Sequence, residues 1–284
     1  METVNVGGLN FSSIGLGTFP MKGELLKESL DCAINNGYTL IDTAFKYQNE
    51  SEIGSFLSNI NTPRNQIIIQ TKFSAKQLTY KKILWFKYGR TTTEDAIKGS
   101  LERLQKKCLD VYLLHSPSNG FEKYYGDLMR FRWQGMVKMI GVCRFDESQL
   151  QKIRETCGEY PIINQIEIHP FHTNKKVIDF CKENGIAVEA RSLFAHGDIM
   201  EELQRSDMLK SIAKEYDKSI QQIVIRWIVQ QGLVAIVKSG SQSHIKENID
   251  VFDFSLTEKQ MSMIDSMNRN QSFGLISGKL RVNH

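Results

Sequence analysis

Short runs of apolar, often β-branched residues alternate along the chain with longer stretches in which apolar positions recur every three or four residues. The first pattern is typical of buried strands, and the second is typical of amphipathic helices. The eight predicted strands are residues 13–19, 38–43, 66–72, 110–115, 138–143, 162–168, 187–191 and 234–238. Because a helical stretch follows each of them, the strands are expected to be parallel and joined by crossover helices.

Eight such units favour an α/β fold in which the strands close into a (β/α)8 TIM barrel. An open doubly wound sheet is the alternative, but the turn at Gly15-Leu16-Gly17 lacks the third glycine of the usual dinucleotide-binding motif. An N-terminal β-hairpin over residues 4–11 is expected to cover the bottom of the barrel. Additional helices are predicted near the C-terminus, at residues 208–216 and 257–267. We expect residues 1–284 to form a single barrel domain.

The composition is that of a soluble globular protein, with 41% hydrophobic and 24% charged residues. A formal net charge of +4 over 284 residues is too small to indicate nucleic-acid or membrane binding. The five cysteines are scattered without a metal-ligand spacing, so neither a metal site nor a disulfide framework is predicted. Reduced thiols and the lack of a signal-type N-terminus favour a cytoplasmic location.

Three titratable residues, Asp42, Lys72 and His115, stand at the ends of the second, third and fourth predicted strands. In a closed barrel the active groups sit at the carboxyl ends of the strands, and neighbouring strands are about 4.8 Å apart. These side chains are therefore expected to meet, with Tyr47 in the loop above them. Each residue alone has an ordinary structural explanation, such as a helix cap, a solvated lysine or a core histidine. The inference of a catalytic site therefore depends on their combination.

This combination suggests proton transfer to a carbonyl oxygen. Lys72, kept charged by Asp42, is expected to lower the pKa of Tyr47, which then acts as a general acid. A neutral His115 would hydrogen-bond the same oxygen and set the angle of the substrate. An acid that protonates a developing alkoxide implies a hydride donor.

Two helix starts are predicted to differ in role. Asn49 and Glu52 are typical of a capping box, so that helix start is expected to be structural. After the last strand, Lys238-Ser239-Gly240-Ser241 precedes a helix that is expected to begin at His244 with Ser243 as its cap. A cation, hydroxyls and free N–H groups at a helix N-terminus form an anion site, and barrels often bind phosphate there. An ordinary helix cap is the alternative.

Several motifs, taken together, resemble those of one family. They are Gly15-Leu16-Gly17-Thr18-Phe19, Ile41-Asp42-Thr43-Ala44 with Tyr47 and Asn49-Glu50, Gln70-Thr71-Lys72, Leu114-His115, Ile140-Gly141-Val142, Asn164-Gln165-Ile166-Glu167 with His169-Pro170, and Val237-Lys238-Ser239 with Glu247-Asn248. By their order and spacing, the chain resembles a compact microbial aldo-keto reductase almost from end to end. The resemblance implies a monomeric barrel that holds NADPH across its C-terminal face and reduces a carbonyl to an alcohol. It also implies a catalytic tetrad of Asp42, Tyr47, Lys72 and His115, with Tyr47 as the acid.

The resemblance further implies which residues contact each ligand. Gln165 would hold the nicotinamide carboxamide, and Lys238, Ser239 and Asn248 would hold the adenosine end. The implied cofactor contacts are Gly17, Thr18, Asp42, Cys143, Arg144, Gln165, Arg191, Ser192, Leu193, Lys238, Ser239, His244, Glu247 and Asn248. The implied substrate contacts are Phe19, Tyr47 and His115.

Four positions depart from the usual family pattern. Cys143 and Arg144 stand where the family usually has a Ser-Asn pair that grips the carboxamide. Arg191 replaces the aromatic residue that stacks on the nicotinamide, and His244 replaces the arginine that binds the 2′-phosphate. Because a cation disfavours the oxidised nicotinamide, Arg191 is expected to turn away and meet an anionic substrate. The loss of the arginine weakens the preference for NADPH, so NADH is not excluded.

Two other functions stay open at this point. The altered positions 143, 144 and 191 also fit a barrel that binds the cofactor without turnover, as a sensor or interaction subunit. A redox-neutral acid–base enzyme could use the same tetrad. A small-molecule carbonyl compound is the expected substrate, and its identity lies beyond the sequence.

The basic residues are unevenly placed. Seven of them, and no Asp or Glu, lie between Ile53 and Thr93. This stretch includes residues 73–90, a loop longer than most strand-to-helix connections. We expect this loop to be a lid that steers an anionic or carrier-bound substrate towards Tyr47. A solvated basic loop is the alternative.

Overall fold

The structure, a computed structural model, describes residues 2–75 and 92–273. Within these ranges the strands are β1 (Thr3–Val6), β2 (Leu9–Ser12), β3 (Ile14–Gly17), β4 (Leu40–Asp42), β5 (Ile68–Phe73), β6 (Leu109–Leu114), β7 (Val137–Cys143), β8 (Ile163–Glu167), β9 (Ala187–Arg191) and β10 (Val234–Val237). The strands from β3 to β10 are parallel and close into a barrel in the order β10-β3-β4-β5-β6-β7-β8-β9. The predicted (β/α)8 TIM barrel is therefore confirmed, and each predicted strand overlaps an observed one.

Helices surround this barrel. In the described residues they are α1 (Gly23–Asn35), α2 (Glu50–Ser58), α3 (Thr93–Arg103), α4 (Phe121–Trp133), α5 (Glu147–Cys157), α6 (Lys175–Glu183), α7 (Met200–Arg205), α8 (Asp207–Tyr216), α9 (Ile220–Val229), α10 (Gln242–Ile249) and α11 (Glu258–Asp265). The two additional helices predicted near the C-terminus correspond to α8 and α11. Most helices bury one face, whereas α9 is buried along almost its whole length. Strands β6 and β8 are buried at every position, because helices cover one face and the barrel interior the other.

The N-terminal hairpin closes the bottom of the barrel, as predicted. Strands β1 and β2 pair antiparallel, and their side chains Val6 and Phe11 are buried. Both belong to a cluster with Leu40, Val111 and Met139 from inside the barrel. Because the hairpin seals the amino ends of the strands, the carboxyl ends are left to form a site.

Helices α2 and α3 approach each other closely at Gly54. A Cβ atom at this position would overlap the carbonyl oxygen of Arg103. Beside this contact the buried Glu50 accepts a hydrogen bond from Arg103 Nε at 2.8 Å and another from the Thr71 hydroxyl at 2.7 Å. These bonds fix the outer face of β5, whose other face points into the barrel.

The predicted capping box at the start of α2 is wrong. Asn49 is buried and makes no capping bond. Its Oδ1 accepts from the Thr43 hydroxyl at 2.6 Å, and its Nδ2 donates to the Thr18 carbonyl oxygen at 3.1 Å. Glu52 accepts from the Gly23 N–H at 2.5 Å. Partners distant in the sequence therefore take the place of the expected capping partners. Through these hydrogen bonds Asn49 connects the loops that follow β3 and β4.

The predicted lid, residues 73–90, lies outside the described residues from position 76 onwards. In the ranges that the structure covers, no helix is long and apolar enough to cross a membrane. That residues 1–284 form a single domain stays a prediction.

Candidate active site

Three predicted site residues lie at the carboxyl ends of three neighbouring barrel strands. Asp42 ends β4 and pairs in register with Gln70 on β5. Lys72 lies two residues further along β5. His115 directly follows β6, and its backbone N–H donates to the Phe73 carbonyl oxygen at 2.8 Å. The strand order therefore places the three side chains side by side at the open end of the barrel.

Lys72 and Asp42 form a buried ion pair. The Lys72 Nζ atom lies 2.5 Å from Asp42 Oδ1 and donates a second hydrogen bond to the Thr43 carbonyl oxygen at 3.0 Å. Burial alone would lower the pKa of Lys72, but the Asp42 carboxylate raises it above the ordinary value for lysine. Lys72 is therefore charged at neutral pH although it is fully buried.

Tyr47 lies over this pair at the end of a short 3₁₀ turn, Phe45–Tyr47. The centre of its ring is 5.4 Å from Lys72 Nζ and 6.1 Å from the centre of the His115 ring, which it meets edge-on. The Phe19 ring packs against the Tyr47 ring, with 5.0 Å between the two ring centres. The structure thus brings the four residues of the predicted tetrad together, with Phe19 beside them.

The expected lowering of the Tyr47 pKa is wrong in its net direction. Burial raises the pKa of Tyr47, and the nearby Lys72 ammonium only partly opposes this rise. The charge of Lys72 can be read from the sequence, whereas the removal of the phenol from water depends on the fold. At neutral pH the Tyr47 side chain is a protonated phenol, which is the form that can donate a proton.

His115 is neutral, as expected. Burial lowers its pKa well below the ordinary value, and the positive charges of Lys72 and Arg144 lower it further. Its Nδ1 atom is buried and has no hydrogen-bond partner among the described residues. A neutral imidazole keeps one N–H donor.

A second buried carboxylate, Glu189 on β9, lies beneath the tetrad. The Gln70 side-chain amide donates to Glu189 Oε2 at 2.6 Å and to Asp42 Oδ1 at 2.8 Å. The Gln165 amide on β8 bridges the same two atoms at 2.8 and 3.0 Å. Together with Lys72, these amides hold the Asp42 carboxylate in one orientation.

Glu189 is not among the site residues predicted from the sequence. Burial and the nearby Asp42 charge raise the pKa of Glu189 to about 7. The signal that would have found it is a charged residue at the central position of β9, between the apolar Val188 and Ala190. A strand enclosed on both faces has no exposed position for such a residue.

Gln165 also contacts Cys143 on β7. Besides its two donated bonds, its Oε1 accepts a weak hydrogen bond from the Cys143 thiol at 3.7 Å. Both side chains are buried, and the two residues pair in register between β7 and β8. That Gln165 and Cys143 contact the cofactor stays a prediction.

Arg144 directly follows β7, and Arg191 is the last residue of β9. These two strands lie on either side of β8. Arg144 has a left-handed backbone with φ of 70°, and so has Ser192, directly after Arg191, with φ of 56°. Such conformations are disfavoured for side chains larger than glycine and cluster at functional sites. Arg191 Nη1 donates to the Ser192 hydroxyl at 3.0 Å, and its Nη2 lies 3.9 Å from the Glu167 carboxylate.

The second predicted anion site follows β10. The cap of α10 is Ser241, whose hydroxyl accepts from the His244 N–H at 3.5 Å, so the predicted cap at Ser243 is wrong. The helix therefore begins two residues earlier than expected. Ser239 Oγ accepts from the Ser241 N–H at 3.0 Å, while the side chains of Lys238 and His244 are exposed.

Four other residues predicted to contact the cofactor lie at the carboxyl ends of β3 and β9. Gly17 ends β3, and a Cβ atom there would lie 3.3 Å from a β10 side chain. Thr18 is buried, and both its N–H and its hydroxyl donate to the Asp42 carbonyl oxygen at 3.0 Å. Ser192 and the buried Leu193 follow β9. These residues surround the tetrad at the rim of the barrel.

The donors present fit a phosphate-bearing dinucleotide. Lys238 and the first turn of α10 offer a cation and backbone N–H groups, which favour phosphate. Further along α10, Glu247 is half-buried and Asn248 is buried. Among the described residues, no group of three His, Cys, Asp or Glu side chains could hold a metal ion.

Comparisons with known proteins agree with this architecture. The model of the Aldo/keto reductase family matches residues 12–269. The chain is 35% identical to the glyoxal reductase of Bacillus subtilis (strain 168), over 96% of this chain and 95% of that protein. An aldo-keto reductase from a Medee basin deep-sea metagenome library superposes with a TM-score of 0.86 at 32% identity, over 96% of both chains. The Bombyx mori aldo-keto reductase, solved in complex with NADP, superposes with a TM-score of 0.81 at 26% identity, over 97% of this chain and 95% of that one.

The closed barrel, the buried polar residues at its open end and these similarities lead to one conclusion. The chain belongs to the aldo/keto reductase family and is an NAD(P)H-dependent oxidoreductase that acts on carbonyl groups.

Proposed function

We propose that the enzyme reduces an aldehyde or a ketone to an alcohol with NADPH, using Tyr47 as the general acid. One observation carries this proposal. A protonated tyrosine lies with its ring centre 5.4 Å from a buried ammonium and 6.1 Å from a neutral imidazole ring. No other role accounts as well for a phenol, an ion pair and an imidazole gathered at the open end of a barrel.

The proton comes from Tyr47. When bound, NADPH supplies the hydride that reduces the carbonyl carbon. The Tyr47 phenol donates its proton to the carbonyl oxygen as that oxygen gains negative charge. The Lys72 ammonium stabilises the phenolate that remains, and Asp42 keeps Lys72 charged inside the protein.

His115 orients the substrate. Its pKa is so low that the ring carries no charge at neutral pH and offers one N–H to the carbonyl oxygen. Together with the Tyr47 hydroxyl, this donor provides two hydrogen bonds to the oxygen at which charge develops. Phe19, packed on Tyr47, provides an apolar wall for the rest of the substrate.

The residues after β10 favour NADPH over NADH. Lys238 and the N-terminus of α10 together provide a positive site for the additional phosphate of NADPH. A bound NADP in the related Bombyx mori structure supports the same choice. The cofactor contacts of Gln165, Ser192, Leu193, Glu247 and Asn248 belong to this proposal. That the enzyme is a cytoplasmic monomer stays a prediction.

The test is turnover by the purified protein with NADPH and a panel of aldehydes and ketones that includes glyoxal. Glyoxal is chosen because one relative is named glyoxal reductase. Tyr47→Phe removes the proton donor and should lower kcat by about 10²–10⁴-fold, the usual contribution of a general acid. Its Kd for NADPH, followed by cofactor fluorescence, should stay unchanged.

Tyr160→Phe is the matched control. The Tyr160 hydroxyl donates to Gln151 Oε1 at 2.7 Å, and the residue lies shortly before β8, at the opposite end of the barrel. This variant should keep the wild-type rate. Undiminished turnover in Tyr47→Phe would overturn the assignment of the acid, and no turnover of any carbonyl by the wild-type protein would overturn the proposed reaction.

A further inference from the structure

Two guanidinium groups share the rim of the barrel beside β8. The backbone N–H of Arg144 donates to the Gln165 carbonyl oxygen of β8 at 2.9 Å, and Arg191 pairs in register with Glu167 on the other side of that strand. Because neighbouring strands are about 4.8 Å apart, the two backbones are separated by about two strand spacings. Side chains as long as arginine can bridge this distance to one small ligand.

These two cations have too few counter-charges. Arg144 has no carboxylate within ion-pair distance among the described residues, and the contact of Arg191 with Glu167 is long, at 3.9 Å. The Glu167 carboxylate already accepts from His169 Nε2 at 3.1 Å, from the Phe273 N–H at 2.6 Å and from a serine hydroxyl. It therefore has little capacity left for a second cation.

The residues outside the described ranges supply no further acidic side chain. Residues 76–91 and 274–284, outside the described ranges, contain no Asp or Glu. The Nε atoms of Arg144 and Arg191 are buried without an acceptor in the described structure. Burial lowers the pKa of Arg144, and repulsion from Arg191 lowers it further. Half-buried cations without a close counter-ion are costly, so the arrangement favours an anion that arrives with a ligand.

The anion would lie close to the reacting atoms. The charges of Arg144 and Arg191 both act on His115, and the charge of Arg191 also acts on Tyr47. The left-handed backbone at Arg144 sets the direction in which its side chain leaves the end of β7, and a second left-handed residue, Ser192, directly follows Arg191. Cofactor phosphate has a separate cation and helix N-terminus after β10. The arginine pair is therefore best explained by an anionic group on the substrate.

We propose that Arg144 and Arg191 form a carboxylate-binding site that makes the enzyme selective for carbonyl compounds carrying a carboxylate near the reacting carbonyl. The proposal rests on the carbonyl reduction proposed above and narrows its substrate class. Arginine suits this role because its planar fork of N–H donors matches the two oxygens of a carboxylate.

A pair of aldehydes that differ only in charge tests the selectivity. The wild-type enzyme should reduce para-carboxybenzaldehyde with a kcat/KM at least about tenfold above that of its neutral amide, para-carbamoylbenzaldehyde. Added salt should shrink this ratio. Arg144→Gln and Arg191→Gln should each lower kcat/KM for the carboxylate about tenfold to a hundredfold, since hydrogen bonds to charged groups contribute that much. Both should leave the amide within about twofold.

Control variants separate charge from folding and from cofactor binding. Arg132→Gln makes the same charge change near the opposite end of the barrel, where Arg132 pairs with Glu159 at 2.9 Å, and should keep the selectivity. Arg191→Lys retains the charge and should recover part of the selectivity for the carboxylate, even if Arg191→Gln folds poorly. The Kd for NADPH should stay constant in all variants. Equal losses for both aldehydes, or a weakened Kd for NADPH that explains the loss, would overturn the proposal.

Equilibrium binding tests the site independently of turnover. Calorimetry with para-carboxybenzyl alcohol should show binding to the wild-type protein and none to Arg144→Gln or Arg191→Gln. If no aldehyde is reduced but this binding and its loss are observed, the proposed reaction fails while the carboxylate site stands. Equal binding to the wild-type protein and to both variants would overturn the site itself.

Discussion

The ammonium of Lys72 lies 2.5 Å from the carboxylate of Asp42, and both side chains are buried beneath Tyr47. A buried charge that loses its partner is strongly destabilising. Asp42→Asn should therefore lower the free energy of unfolding by about 3–5 kcal/mol. It should also lower kcat, because Lys72 would no longer be held charged beside the phenol. Chemical denaturation and steady-state kinetics measure the two effects.

Asp110 provides the matched comparison. This buried carboxylate is the second residue of β6, at the closed end of the barrel. It accepts hydrogen bonds from the Ile69 N–H at 3.0 Å, from Lys138 at 2.9 Å and from Lys106. Asp110→Asn should lower stability without changing kcat for the enzyme that remains folded. A kcat that falls equally in both variants would show that Asp42 acts through stability alone.

The rate of reduction should depend weakly on pH over the neutral range. Burial raises the pKa of Tyr47 above its ordinary value of 10.0, and burial with neighbouring cations lowers that of His115 far below 6.5. Between these two values Tyr47 stays protonated and His115 stays neutral, so neither group changes charge. Glu189→Gln removes the other group beneath the tetrad that titrates in this range. In this variant the profile of kcat should be flat there, with circular dichroism confirming that the protein stays folded. A loss of activity with a midpoint near 6.5 that disappears in His115→Gln would contradict the assigned charge of His115.

Glu189 should make the protein less stable as pH rises. Its pKa is about 7 in the folded protein against an ordinary value of 4.5. Because this folded-state pKa is the higher one, the stabilisation is complete below pH 4.5 and is lost as pH rises through 7. The loss amounts to about 3 kcal/mol. Glu189→Gln should remove this loss, so its stability relative to the wild type should increase over that range in chemical denaturation.

Glu167→Gln should behave in the opposite way. Hydrogen bonds from His169 and the Phe273 N–H overcome the effect of burial and lower the pKa of Glu167 to about 2. Its stabilisation is therefore present above the ordinary value of 4.5 and is lost as pH falls towards 2. Above pH 4.5 the difference in free energy of unfolding between Glu167→Gln and the wild type should be nearly constant. If the difference in free energy of unfolding between Glu189→Gln and the wild type were also constant from pH 4.5 to 7, Glu189 would be ionised in the folded protein over that range.

The features that sequence could predict are those that depend on position along a strand. Alternating strands and helices predicted the barrel, and the barrel placed Asp42, Lys72 and His115 at neighbouring strand ends. The confirmed contacts among these residues and Tyr47 follow from that topology alone.

The features that sequence could not predict depend on contacts between distant segments. Asn49 resembles a helix cap, yet its partners are in other loops. The net rise in the Tyr47 pKa follows from burial of the phenol, which cannot be deduced from the neighbouring charges. Glu189 and Gln70 meet across 119 residues of chain inside the barrel.

The last prediction concerns the cofactor phosphate. His244 lies in the first turn of α10, three residues after the cap Ser241. His244→Arg should add a charged, forked donor and raise the ratio of Kd for NADH to Kd for NADPH about tenfold. Lys238→Ala should lower the same ratio. Lys246→Ala is the charge-matched control. Lys246 lies two residues after His244 and therefore on another side of α10, so this variant should leave the ratio of the two Kd values unchanged. Fluorescence titration with both cofactors measures the ratio. If Lys238→Ala weakened NADH and NADPH equally, the residues after β10 would bind a part of the cofactor that the two share.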